Sequence, residues 1–371
     1  MNSRDRTLAA AAKTGDNRRV KTLQLKVDAA QLGTPEAVEA LARAAEILRG
    51  GGLVALPTET VYGLGANALD ATAVTRIFEA KGRPAWDPLI VHIADEEMLS
   101  MLVEEVPEQA RRLMKAFWPG PLTLLLPRSN AVPDVVTAGR PLVGIRMPAH
   151  PVALELIRRA GVPVAAPSAN RFGHTSPTTA EHVLDDLDGR IDAVLDAGPA
   201  MHGVESTVLD PCQSPMVIYR PGAVTSVQIR DTAGAVTMFK SGPLAETPRE
   251  ALPSPGVGLR HYAPKARLVL IDAPLAEFGA EMARRWEELA GERVGVMLPA
   301  EVALPAEVEA RVFDWGRWAA PKDLARMLYA GLRALDAAGC TAILCPLPPA
   351  EGIGAAIRDR LVKAGTMPSI T

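Results

Sequence analysis

The chain has 371 residues, 48% of them hydrophobic and 22% charged, with a formal net charge of -3. That length suggests two domains at about 150 residues each, in a globular balance of residue types. So small a net charge does not indicate bulk electrostatic binding of nucleic acid, though it leaves room for a local basic cleft, and no apolar run approaches the roughly 20 residues that span a bilayer.

Residues 1–30 read as a disordered extension. The first 20 mix Arg4, Arg6, Lys13, Arg18 and Arg19 with Asp5 and Asp16, and lack the apolar stretch of a secretory signal. Residues 36–49 put Val38, Leu41, Ala45 and Leu48 on one face of a helix, which Gly50-Gly51-Gly52 ends. Residues 53–56 form a short buried strand. Asp70 is placed to N-cap a helix carrying Val74, Ile77 and Phe78, stopped by Gly82 and Pro84. Strands follow at 89–93, 122–126, 143–147, 162–166, 193–195, 206–209 and 217–219, with helices between several of them. The expectation over residues 31–230 is an α/β (α+β) domain with a large mixed sheet. Residues 231–265, with Gly242, Pro243, Pro248, Pro253, Pro255, Gly256 and Gly258, have the composition of an interdomain linker. Beyond it, strands at 268–271, 294–297, 308–313 and 342–345 alternate with helices at 277–289, 324–338 and 353–363. That pattern predicts a small doubly wound, Rossmann-like domain over residues 266–371.

The cysteines Cys212, Cys340 and Cys345 make no Cys-x-x-Cys pair. They supply neither a disulfide framework nor a structural zinc site, and fit a reducing, cytoplasmic setting. Gly63-Leu64-Gly65-Ala66-Asn67-Ala68 matches a loose dinucleotide fingerprint, with Asp87 about 20 residues on. Six residues separate it from the preceding strand, however, and the fingerprint needs its glycines in the strand-to-helix turn itself.

Cations at element ends carry more information. Lys81 and Arg83 flank Gly82 at a helix terminus, and either complement the helix dipole or bind an anion. Arg146 and Arg220 each follow an apolar strand, where arginine is disfavoured unless paired or bound to an anion. They point to one cleft, or to buried ion pairs with Glu59 or Glu205. Thr58, Thr60 and Ser206 offer hydroxyls at strand ends, and His92 alternates with apolar residues as either a core or a ligand-contacting histidine. Ser168 has no Gly-x-Ser-x-Gly setting or ordered Asp/His partners, so it is not read as a nucleophile. No metal-ligating cluster stands out, so any Mg²⁺ is expected to be carried largely by substrate phosphates. Residues 254–265 are rich in polar groups for a spacer and suggest a lid.

Five motifs in order, Pro57-Thr58-Glu59-Thr60-Val61-Tyr62-Gly63-Leu64, Lys81-Gly82-Arg83-Pro84, Pro88-Leu89-Ile90-Val91-His92, Pro167-Ser168-Ala169-Asn170 and Glu205-Ser206-Thr207-Val208, resemble those of the YrdC-like threonylcarbamoyl-AMP synthases. Residues 254–264 resemble the interdomain motif of that family's long, two-domain form, and residues 352–361, ending in Arg358-Asp359-Arg360-Leu361, resemble its C-terminal end. The resemblance implies a nucleotidyltransferase that makes L-threonylcarbamoyladenylate and pyrophosphate from L-threonine, bicarbonate or CO₂, and ATP with Mg²⁺. The product would pass to a complex that transfers the threonylcarbamoyl group to tRNA, with weak tRNA binding by this chain a further expectation. By the same resemblance Lys81, Arg83, Ser168 and Asn170 form a central catalytic tetrad. Thr60, His92, Arg146 and Ser206, with the backbone at Ala166, would hold threonine. Arg83, Asp87, Leu142, Ser168, Ser176 and Arg220 would hold ATP, covered by His261 and Tyr262. Asp87 stands where the family pattern has Asn, and as a carboxylate should face the adenosine end or solvent. Val257 and Leu259 depart from it too, at positions where Met and an aromatic are usual. Arg146 suits bidentate capture of the threonine carboxylate. The rival readings are an RNA-binding, translation-related module and a carbamoyltransferase of the same fold; the latter would need acylphosphatase-like and zinc-finger-like segments, which are not visible.

Overall fold

The structure, a computed structural model, describes residues 21–240, 252, 254 and 262–365. The first domain opens with β1 (Leu23–Lys26), α1 (Pro35–Arg49), β2 (Val54–Leu56), β3 (Gly63–Asn67) and α2 (Ala71–Lys81). Next come β4 (Ile90–His92), α3 (Glu96–Leu102), α4 (Glu108–Phe117), β5 (Leu122–Pro127), α5 (Asp134–Thr137) and β6 (Leu142–Arg146). It continues with α6 (Pro151–Ala160), β7 (Val164–Ala165), α7 (Ala180–Leu187), β8 (Ala193–Asp196), β9 (Thr207–Asp210), β10 (Met216–Arg220), α8 (Ser226–Ala233) and β11 (Val236–Met238). Among the described residues these strands form one mixed sheet in the order β1-β8-β2-β3-β7-β4-β6-β5-β9-β10-β11.

Local signals act where the sequence places them. Thr34 caps α1, its hydroxyl accepting from Ala37 N at 3.3 Å, and Leu41, Ala44, Ala45 and Leu48 are buried on one face. Asp70 Oδ1 accepts from Thr72 N at 2.9 Å and Ala73 N at 3.2 Å to start α2. Gly82, at φ 64°, ends that helix in the left-handed conformation that glycine adopts without strain. The glycine-rich stretch is not a phosphate loop. It is strand β3, antiparallel to both β2 and β7. A Cβ at Gly65 would meet Leu56 Cδ2 at 2.8 Å and Val164 Cγ1 at 2.9 Å, so glycine is needed there for close packing.

Two expected boundaries shift. Residues 23–26, assigned to a disordered extension, form β1, in parallel register with β8 from Leu23↔Ala193 to Lys26↔Asp196. Residues 231–238, assigned to the linker, belong to the first domain, because β11 pairs parallel with β10. Residues 1–20 and most of the linker, including Val257, Leu259 and His261, lie outside the described residues.

The second domain comprises β12 (Arg267–Ile271), α9 (Leu275–Glu288), β13 (Val294–Pro299), β14 (Arg311–Gly316), α10 (Pro321–Ala337), β15 (Ala342–Pro346) and α11 (Gly354–Gly365). Its strands are all parallel, in the order β12-β15-β13-β14. Phe278 and Met282 of α9 pack on one face, and Leu328, Leu332, Ile357 and Leu361 of α10 and α11 in a second cluster. That second cluster also contains Val61 and Val204 of the first domain and Tyr262, so one apolar core crosses the domain junction.

Candidate active site

The site is a cleft with about 590 Å³ of empty space, counting its mouth. Sheet register builds its floor. His92 of β4 lies opposite Arg146 of β6 in a parallel pair, and Ala166 N donates to Ile90 O at 2.9 Å. The Pro167–Asn170 turn is laced to β3 by Leu64 N to Pro167 O at 2.7 Å and Ala169 N to Tyr62 O at 2.8 Å. Ser206 enters from the start of β9 and Arg220 from the end of β10. Thr58, Thr60, Arg83, His92, Arg146, Ala166, Ser168, Glu205, Ser206, Arg220 and Tyr262 all face this cleft.

Each cleft arginine has a different electrostatic setting. Arg146 donates through Nη2 to Glu59 at 2.6 Å, through Nη1 to Thr60 Oγ1 at 2.9 Å and through Nε to Gly120 O at 3.2 Å. Three of its five N–H groups are therefore engaged and its charge is met by Glu59, the buried ion pair that stood as the alternative to carboxylate capture. Burial is the largest single influence and works to raise the Glu59 carboxyl, but the Arg146 charge, the Arg146 hydrogen bond and backbone hydrogen bonds together hold Glu59 below its ordinary range. Arg83 pairs with Asp87 at 2.9 Å and donates to the backbone oxygens of Asp87 and Pro88. Desolvation pushes the Asp87 carboxyl up, against the lowering charges of Arg83, Lys81 and Arg220. Asp87 is fully buried, so the expected alternative of facing solvent fails; it compensates a buried cation instead.

Arg220 differs from both. Its Nε donates to Ser206 O at 3.0 Å and its Nη2 to Ser206 Oγ at 3.1 Å, neutral acceptors only. It is 5% exposed and forms no ion pair among the described residues. Ser206 Oγ also shares a 2.8 Å hydrogen bond with Thr123 Oγ1.

Lys81 is buried behind the wall of the cleft, not in it. Its Nζ donates to Ser168 O at 2.6 Å and also to Asn170 O, clasping both ends of the turn. Desolvation, then the Arg83 charge, push its pKa well down. Asn170 likewise spends its amide on Arg171 O and His174 O, at 2.8 and 2.7 Å. Ser176 Oγ donates to Glu205 at 2.6 Å, and Leu142 packs in a small apolar cluster with Ile90. Lys81, Asp87, Leu142, Asn170 and Ser176 thus stand behind the lining residues. His92 is held at about 3 by burial and then by the Arg146 charge, so its imidazole is neutral at physiological pH.

A family model described as "Telomere recombination" matches residues 46–222, and one described as "Threonylcarbamoyl-AMP synthase, C-terminal domain" matches residues 224–366. The chain is 44% identical over 329 residues to the threonylcarbamoyl-AMP synthase of Pyrococcus abyssi, covering 86% of this chain and 92% of that one. It is 46% identical over 325 residues to that of Bacillus subtilis, covering 87% and 92%. This chain belongs to the threonylcarbamoyl-AMP synthases. As both matched segments require, it is the long, two-domain form of that enzyme family. Its fold matches the crystal structure of P. abyssi Sua5 complexed with L-threonine, at TM-score 0.84 and 40% identity over 93% of this chain and 97% of that one.

Two residues behind the wall of the synthase cleft were not assigned to the site by sequence reasoning. Tyr329 and Arg360, from α10 and α11, both bond Glu205 and both lie against the Tyr262 ring. A signal for Arg360 existed. It sits between Ile357 and Ala364 at helical spacing, a cation on an apolar face.

Proposed function

We propose that this chain joins L-threonine, bicarbonate or CO₂, and ATP into L-threonylcarbamoyladenylate, releasing pyrophosphate, for N6-threonylcarbamoyl modification of adenosine in tRNA. The observation that carries the reading is the convergence of Arg83, Arg146 and Arg220 on one cleft, with Arg220 lacking any carboxylate partner among the described residues. A buried cation without a counter-ion is costly, and a polyphosphate supplies one.

The chemistry drives anion onto anion. The deprotonated threonine amine forms its N–C bond to CO₂; a carbamate oxygen then attacks the α-phosphorus as the bond to pyrophosphate breaks. Preorganised cations that meet the growing charge are the largest help a protein gives such a step. Arg83 and Arg220 fill that role at the phosphates. Thr60, neutral His92, Ser206 and the Ala166 backbone shape the threonine end, with Arg146 as a charge-balanced donor. Lys81 and Asn170 act by fixing the turn that presents Ser168. Asp87 and Ser176 support Arg83 and Glu205, and Leu142 backs the wall at Ile90. Tyr262 closes over the nucleotide. Magnesium enters with the substrate, on the phosphate oxygens. No activated nucleophile is needed, which makes positioning and electrostatics the source of rate.

A carbamoyl adenylate is labile in water, so the product passes in the cytoplasm to a tRNA-threonylcarbamoylating complex, with at most weak tRNA binding here. The direct test is product identity. Labelled bicarbonate incubated with MgATP and L-threonine should appear in a threonine-containing adenylate. Label in no nucleotide product, from folded protein, would end this reading.

A further inference from the structure

The second domain reaches the back of the cleft wall through one guanidinium. Arg360, 1% exposed, donates through Nε to Glu205 Oε2 at 2.7 Å and through Nη2 to Pro221 O at 3.0 Å. Its Nη1 donates to Asp359 at 2.6 Å, and Asp359 in turn pairs with Lys363 at 2.8 Å. Its Cζ lies 5.1 Å from the centroid of the Tyr262 ring. Tyr329 adds a second hold. Its hydroxyl lies 3.0 and 3.2 Å from the two Glu205 oxygens, and its ring stacks on Tyr262 at 6.0 Å.

The chain neighbours of these contacts matter most. Glu205 precedes Ser206, which accepts both hydrogen bonds of Arg220, and Pro221 follows Arg220. Arg360 therefore grips the residues flanking both ends of the Arg220–Ser206 contact. Glu205 is a buried carboxylate beside Arg220, whose charge is among the influences on it, and both face the cleft. Glu205 nevertheless makes its ion pair with Arg360 and not with Arg220. A buried carboxylate that loses its cation takes the nearest remaining one, because an uncompensated buried charge is the costliest arrangement open to it.

We propose that Arg360 is a positioning residue of the active site: it holds the Glu205 carboxylate away from Arg220, with help from Tyr329, and so keeps Arg220 free for the phosphates of ATP. This rests on the synthase reading of the cleft. It also gives the second domain a function, since α10 and α11 supply both holding groups and brace Tyr262 from behind. Tyr262 needs bracing, because it is a non-glycine residue at φ 66°.

The test compares Arg360→Met, Tyr329→Phe and the double variant Glu205→Gln/Arg360→Met in the full chain. Arg358→Met is the control, since Arg358 is on the same helix but pairs with Asp272. MgATP binding by calorimetry is measured beside pyrophosphate release. Arg360→Met should raise the Kd and KM for ATP at least tenfold, leaving KM for threonine within threefold. Tyr329→Phe should move the same way by a smaller factor, and Arg358→Met should match wild type. Adding Glu205→Gln to Arg360→Met should restore ATP binding to within threefold of wild type, because the competing carboxylate is gone. A merely structural role for Arg360 predicts no such rescue. ATP binding unchanged in Arg360→Met, or a double variant no better than the single, overturns the proposal. If Arg360→Met does not fold, the double variant decides: near-wild-type ATP binding supports the proposal, and a tenfold loss overturns it. Failure of the synthase reading is seen separately, as a wild-type chain that binds ATP but releases no pyrophosphate with threonine and bicarbonate.

Discussion

Arg220→Met separates the cost of a buried charge from its use. The substitution removes two charge-assisted hydrogen bonds to Ser206, at 3.0 and 3.1 Å, each worth about 1.5–3 kcal/mol net. It also removes a cation that is 5% exposed and has no carboxylate partner among the described residues, whose desolvation costs several kcal/mol. The two effects oppose each other and are of similar size, so the stability of the variant in urea should stay within about 2 kcal/mol of wild type. Activity should fall. Loss of one preorganised charge-stabilising group typically costs about 2.7–4 kcal/mol in the transition state, about 10²–10³-fold in kcat. Pyrophosphate release and urea unfolding on the same preparations give both numbers. Stability down by several kcal/mol, or kcat/KM for ATP within threefold of wild type, would refute this account of Arg220.

Two further outcomes follow from close approach and from burial. A Cβ at Gly222 would lie 2.3 Å from Thr207 N and 2.6 Å from Glu205 O, backbone atoms that cannot step aside. Gly222→Ala should therefore push Arg220 away from Ser206 and cost at least tenfold in kcat/KM; wild-type kinetics would show that this approach is irrelevant to the site. His92 titrates near 3 in the folded chain against about 6.5 unfolded. Between those values the unfolded chain binds the proton that the folded chain refuses, so stability falls as pH drops from about 6.5 towards 3, by up to about 1.4 kcal/mol per pH unit. His92→Gln should make that fall shallower, leaving the shares of His182, which burial holds near 4, and of His150 and His202, which burial also lowers. Identical acid unfolding curves for the two chains would disprove it.

Much of this was legible from residue patterns because the signals were local. Asp70 and Gly82 bracket α2 by capping chemistry that needs no tertiary contact. The apolar runs of β5, β6 and β10 lie close to their expected spans because those strands are buried on both faces. Strand β3 was not legible, since Gly63, Gly65 and Asn67 have poor strand propensity and are recruited by the neighbours on either side. The pairing of β1 with β8 joins Leu23 to Ala193, a long-range contact that composition does not reveal. In the cleft, the arginines were foreseeable as cations at strand ends. Which of them would be neutralised was not, because Glu59, Asp87 and Glu205 choose partners through side-chain geometry. Arg146 shows the consequence. The sequence allows either a carboxylate clamp or a buried ion pair with Glu59 or Glu205, and side-chain geometry pairs it with Glu59 while Thr60 takes the other Nη.

The central claim is a three-substrate condensation in a cationic cleft. Its most direct test is pyrophosphate release from MgATP, with L-threonine and bicarbonate each omitted in turn. The account predicts release only when both are present, with serine a poorer substitute. Release with threonine alone would mean ordinary aminoacyl adenylation and would contradict it.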